Sequence, residues 1–266
     1  MRKLFILFVI LFTSANVSAQ WIFGKNPIRN KPDWDKQRVH YGYYLGSNFL
    51  NFSYSYDKQY HDKVKGLANQ YGTDHSEIQV TGNMGFNVGL VGNLRITEYI
   101  DLRFEPGLVY SKRDLKFPSA LIMDYYAKNV PLEHLPSIQE LLNSSNKSIS
   151  TTLIHLPLLV KFSALRTGNI RPYVLGGFSA DLNLSSNHKS DDDNYEGVWR
   201  MKQWTTNYEL GVGIDIYFEY FKFSPSIRGV FGLNDELIRD KNPDSPWTGH
   251  ITSMKTKGIF LNFTVH

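Results

Sequence analysis

Residues able to do chemistry are sparse in this chain, and they occur in two settings. The stretch HKSDDDNYE, His188–Glu196, gathers oxygen ligands as a cation loop would. It lacks the Gly and the terminal Glu that a calcium loop needs at fixed spacing, so it reads as a solvated acidic loop. His155 stands in an alternating run with Lys161, where a buried hydrogen bond is the simplest use of an imidazole. No HExxH, no Ser/His/Asp spacing and no phosphate loop is present. The Cys count is 0, which excludes disulfides and thiolate chemistry. The remaining charges of interest are Arg95, Arg103, Glu105, Lys161, Asp181, Glu209, Asp215, Lys222 and Arg228, and each interrupts an apolar run at alternate positions. No catalytic, cofactor-binding or metal residue is assigned, no cofactor is implied, and the chain is not expected to be an enzyme.

The elements that position these charges are strands. In FNVGLVGNLRITEYIDLRFEPGLVY, Phe86–Tyr110, one alternating set is Phe86, Val88, Leu90, Leu94 and Ile96, then Leu102, Phe104, Leu108 and Tyr110. The other holds Asn87, Asn93, Arg95, Arg103 and Glu105. The run is a hairpin turning near Glu98. A soluble sheet would bury the apolar set, whereas a membrane barrel turns it to lipid and fills its lumen with the charged set. Eight such strands are expected: Val39–Asn48, Met84–Ile96, Ile100–Ser111, Thr152–Ser163, Ile170–Leu184, Thr205–Tyr217, Phe221–Phe231 and Thr256–Val265.

The N-terminus and the loops choose between the two settings. MRKLFILFVILFTSANVSAQ has a basic start, an apolar run and Val-Ser-Ala before Gln20, the layout of a signal peptide cleaved after Ala19. Its apolar core is shorter than the ~20 residues of a spanning helix. An exported chain without such a helix crosses a membrane only as a closed barrel. Short connections (Thr97–Tyr99, Ala164–Asn169, Phe218–Tyr220) alternate with long ones (Ser53–Asn83, Lys112–Thr151, Ser185–Trp204, Gly232–Lys255). That asymmetry is expected of an all-β, eight-stranded antiparallel up-and-down transmembrane β-barrel with short periplasmic turns and long external loops. The chain therefore divides into a signal peptide (1–19), a periplasmic lead-in (20–37) and an outer-membrane barrel domain (38–266).

Composition agrees. Aromatic residues make up 14%, suiting strands and interfacial girdles. Mean hydropathy of −0.32 is compatible with long polar loops and a polar lumen. The formal net charge is +4, and loss of Arg2 and Lys3 with the leader leaves +2, too near neutral for a nucleic-acid surface. Pro106, Pro157, Pro172 and Pro225 fall inside strands, where each removes a ladder donor and calls for a bulge or a strand end. An eight-stranded bore is nearly filled by side chains, so its mixed charges are expected to pair and plug it. Pro118–Ser145 carries helical spacing around Leu121–Tyr126 and around Ile138, Leu141 and Leu142; it reads either as an ordered cap or as a mobile loop. Lys257–Phe263, KGIFLNF, looks like a C-terminal barrel insertion signal.

Four blocks together resemble one family: Pro32–Phe52, Gly85–Tyr110, Leu156–Leu182 and Tyr208–Leu233, with RPYVLGG and FEYFKFSP their most specific pieces. The chain is similar to the PorT/SprT family, outer-membrane β-barrel proteins of Bacteroidetes. The resemblance implies a non-enzymatic accessory role in type IX protein secretion, with gliding motility in some relatives. It implies contacts with outer-membrane lipid and other secretion components, and no nucleic-acid or small-molecule partner. The family carries no catalytic residues to transfer. Two other readings stand beside it: a generic structural or adhesion barrel, and a barrel enzyme acting on lipid or peptide.

Overall fold

The computed structural model describes residues 29–73, 77–134, 136–191, 193 and 199–266. The expected signal peptide, Met1–Ala19, and the first part of the expected lead-in lie outside the described residues, as do Asp192, Asn194, Tyr195 and Glu196 of the acidic loop. Ten strand segments form one antiparallel sheet: β1 (Val39–Tyr56), β2 (Gln79–Gly82), β3 (Met84–Arg95), β4 (Ile100–Phe104), β5 (Gly107–Lys116), β6 (Asn146–Ser163), β7 (Ile170–Asn183), β8 (Trp204–Tyr217), β9 (Lys222–Gly232) and β10 (Ile251–Val265). Because β2 continues into β3 and β4 into β5, they occupy eight ring positions. β1 closes the ring, pairing with β10 from Tyr43↔Val265 and with β3 from Val39↔Leu94. Closure pairs every strand edge, which a lipid-exposed backbone requires.

The expected strand Ile100–Ser111 is divided at Glu105–Pro106. Phe104↔Leu158 and Gly107↔His155 keep one register across the break, so Glu105 and Pro106 stand opposite Pro157 and Leu156. The donors missing at Pro106 and Pro157 thus share one short gap, with no bulge. Pro225 makes a similar gap between β8 and β9, where the ladder passes from Gly213↔Ser226 to Ile216↔Phe223 without a shift.

Facing follows the alternation. Leu90 is 65% exposed and Phe104 44%, whereas the adjacent Arg103 is 0% exposed. The outward row is lipid-facing, and the polar row points into the lumen. Inside, the Tyr44 ring lies across β3 and β5. A Cβ on Gly89 would stand 2.6 Å from Tyr44 Cε1, and one on Gly107 would overlap its hydroxyl, so both positions need glycine.

Toward the external end the polarity reverses. β1 runs past the expected end at Asn48 to Tyr56, and β10 begins at Ile251 rather than Thr256. There the outward residues are Ser53, Ser55 and Lys257, while Phe52 and Met254 are buried in an apolar cluster with Leu115, Phe117, Trp247 and Ile251. Phe117 packs edge-on against Trp247 at 5.0 Å. The long loops supply the rest of this cap. Helix α1 (Tyr60–Tyr71) buries Tyr60, Val64 and Ala68 at four-residue spacing and ends at Gly72, whose φ of 66° suits a left-handed cap. Helices α2 (Ser119–Asn129) and α3 (Ile138–Ser144) occupy the stretch read as cap or loop, and the structure decides for the cap. α2 starts after Pro118 and inserts Leu121 and Ile122.

Candidate functional site

Three layers close the lumen. The uppermost is the apolar cap, followed inward by Leu50, Val109, Leu153, Val230 and Phe260. Arg200 fastens two external loops, donating to Asp193 and Asp240 at 3.1 Å each. These loop contacts join segments of β7–β8 and β9–β10, so the cap is one assembly.

The middle layer is a chain of ion pairs. From the cap downward, Asn207 donates to Asp181 (2.8 Å), which also holds His155 Nδ1 at 2.5 Å. His155 Nε2 lies 3.1 Å from Glu209, and Arg228 Nε lies 3.0 Å from the same carboxylate. Arg228 donates through Nη1 to Glu105 at 2.7 Å, and Glu105 also accepts from Arg103. The Glu209 oxygens lie close to both groups yet off the bonding directions, so proximity rather than aligned bonds relates them to His155 and Arg228. Below, Asp215 accepts from Lys161 and Ser224 at 2.6 Å each, with Lys222 at 3.6 Å. Lys161 also sits 4.0 Å over the Tyr173 ring. All eight of these luminal charges read from the alternation are buried, and His155 has the buried hydrogen bond expected of it. Arg95 departs from the set. It is at the periplasmic rim, donating to the Glu98 carbonyl, because β3 ends at that residue.

The lowest layer comes from the lead-in. A 3-10 turn, Trp34–Lys36, tucks under the barrel and presents Asp35 to its opening. Tyr217 donates to Asp35 at 2.7 Å, with Arg171 at 3.3 Å and Arg166 at 3.5 Å. Burial alone would raise the Asp35 carboxyl, but the Tyr217 bond and the Arg171 and Arg166 charges prevail and hold it below its ordinary value. Arg166 donates to the carbonyls of Lys31 (3.2 Å) and Asn30, and its guanidinium lies 3.6 Å over the Tyr217 ring. Asp35 was not singled out in the sequence, since its partners are more than 130 residues away and no local spacing links them.

The acidic loop has ordinary structural partners where it is described: His188 bonds Ser186 at 2.8 Å, and Asp193 bonds Arg200. Among the described residues no group of three or more His, Asp or Glu is arranged to hold a metal ion. Among the described residues the luminal charges pair with one another across the bore, between the apolar cap above and the Asp35 contacts below.

Comparison with known proteins places this geometry. A family model described as outer membrane protein beta-barrel domain matches residues 19–237. No curated protein matches the sequence. Among solved structures, the chain is similar to the outer membrane protein OprG from Pseudomonas aeruginosa, at 11% identity and a TM-score of 0.39, covering 86% of this chain and 97% of that one. It is also similar to Neisserial surface protein A, at 10% identity and a TM-score of 0.38, covering 86% and 99%. A third is Ail, the attachment invasion locus protein of Yersinia pestis, solved with the heparin analogue sucrose octasulfate, at 10% identity and a TM-score of 0.35, covering 86% and 99%. With the family model spanning most of its length, the chain belongs to the outer membrane β-barrel domain family, and its location is the outer membrane.

Proposed function

We propose that this barrel is a non-enzymatic accessory component of type IX protein secretion that acts through protein contacts rather than conduction. The observation that carries the contact part is the closed lumen: an apolar cap, a paired ionic layer and the Asp35 seal leave no route for a polypeptide. An eight-stranded bore is in any case too narrow for one. The secretion part is supported by the four blocks that resemble the PorT/SprT family, of which RPYVLGG begins at Arg171 beside the seal. Binding surfaces concentrate on loops held by a rigid scaffold. Here the candidates are the α2–α3 segment outside and the lead-in with its short turns inside.

Deleting the gene and measuring surface delivery of proteins with the C-terminal secretion domain tests the reading; loss of delivery is expected. Deletion of 118–145, which leaves the ring positions in place, is expected to impair delivery while the barrel still inserts. The family match equally suits a structural barrel without a secretion role, and unaffected delivery in the gene deletion would favour that second reading.

A further inference from the structure

The lipid-facing wall is not evenly filled. Two outward hollows of ≈ 660 Å³ and ≈ 670 Å³ share Val174, Val212 and Ile227 in their linings, so they form one furrow along β7–β9. Its cause lies in the outward row, where Pro172 and Pro225 stand in place of long side chains and Leu210 and Phe231 lie back over Gly176 and Gly229. From Pro225 to Phe231 the furrow follows β9 for ~20 Å at the usual strand rise. With a strand tilt near 40° that descends about 15 Å, the depth of one leaflet.

What lies at its external end decides the occupant. Ile259 of β10 pairs with Gly229 and lines the upper hollow, and Lys257 pairs with Phe231, the last residue of the lining on β9. Lys255 is the next outward residue on β10, opposite Ser53. The outward row of β10 thus reads Phe263, Leu261, Ile259 and then Lys257 and Lys255: apolar within the bilayer, basic at its surface. Among the described residues neither lysine has an ion-pair partner. An acyl-length furrow ending at two free ammonium groups matches an amphiphile with a phosphorylated head.

We propose that the β8–β10 face binds a phosphorylated, acylated glycolipid of the outer leaflet, its phosphate on Lys255 and Lys257 and an acyl chain in the furrow. This rests on the outer-membrane location and not on the secretion reading. Basic residues at a membrane surface gain from anionic heads, and the furrow is continuous with the lipid interface already in place.

The test is native mass spectrometry of the detergent-solubilised full barrel titrated with three probes: bisphosphorylated lipid A, enzymatically dephosphorylated lipid A, and the deacylated phosphosugar. Bisphosphorylated lipid A is expected to bind tightest. Lys255→Gln with Lys257→Gln should weaken it about 30-fold, from two surface charge contacts, and leave the dephosphorylated lipid unchanged. Both lysines are on the exterior wall, so this variant folds; unchanged heat-modifiability on gels confirms it. Val212→Phe, which fills the furrow, should weaken both acylated probes. Equal binding of phosphorylated and dephosphorylated lipid, or an unaffected double variant, would overturn the headgroup site. Deacylated phosphosugar binding as tightly as the intact lipid would overturn the furrow's part.

Discussion

Arg228→Met is the sharpest perturbation of the luminal chain. Arg228 is 2% exposed and, among the described residues, is the one cation touching both Glu105, at 2.7 Å, and Glu209, at 3.0 Å. Its removal leaves Arg103 beside Glu105 and His155 beside Glu209, each already engaged. Removing one partner of a buried pair costs about 3–5 kcal/mol, chiefly because a buried charge is left uncompensated. The upper half of that range is expected here, because two carboxylates lose a partner. Met retains most of the volume, so cavity formation adds little. If uncompensated charge is the cause, adding Glu209→Gln should recover at least half of the loss. Urea unfolding in detergent micelles, followed by tryptophan fluorescence with heat-modifiability in parallel, measures both variants. A single variant within about 1 kcal/mol of the parent would refute the reasoning, since surface-like screening of that size implies a water-filled rather than ion-paired lumen.

Phe104→Arg places a charge on the lipid wall and should cost ~2–4 kcal/mol near the midplane, seen as failed heat-modifiability, whereas Phe104→Leu should assemble normally. Planar-bilayer recordings of the purified barrel should show no large, stable conductance steps; reproducible ones would contradict the three closing layers. An epitope inserted at Lys241 should be reached by antibody on intact cells and one at Thr167 should not, which fixes the inside and outside ends. Because Asp35 ionises below its ordinary value when folded, its contribution is present at neutral pH and fades as pH falls from about 4 downward. Asp35→Asn should therefore flatten that acid limb in an unfolding titration and change little of its shape above it.

Most of the ring was legible because lipid and lumen impose opposite demands on alternate residues. Phe86, Val88 and Leu90 against Asn87 and Asn93 fix the facing of β3 without any tertiary information. The legibility fails where the surroundings change from lipid to water. Beyond Asn51 on β1 and before Ile259 on β10 the outward residues become Ser and Lys, and the inward ones become Phe52, Tyr54 and Met254. A single strand thus obeys the membrane pattern below and the soluble pattern above, and a search for one constant pattern stops at the crossing. The helices α2 and α3 were visible as spacing only, since nothing local reveals whether Leu121 and Ile122 find a core to enter. The individual ion pairs were invisible for a similar reason: alternation says that Glu105 points inward, but the choice of Arg228 as partner depends on ring closure.

The strands also differ in height, and that gives the external face a direction. On β1, β5, β6 and β10 the strands continue for some seven residues past the last lipid-facing side chains, whereas β7, β8 and β9 end near their aromatic rim and hand over to loop segments bridged at Met201↔Leu237. At the usual rise and tilt those seven residues lift the rim by ~15–20 Å. The helices α1 and α2 rest on this taller side, packed together through Tyr60, Val64 and Leu121. The barrel therefore behaves as a one-sided pedestal. It holds its helical platform at a fixed stand-off above the membrane surface and to one side of the barrel axis, so the external face has no rotational symmetry about the membrane normal.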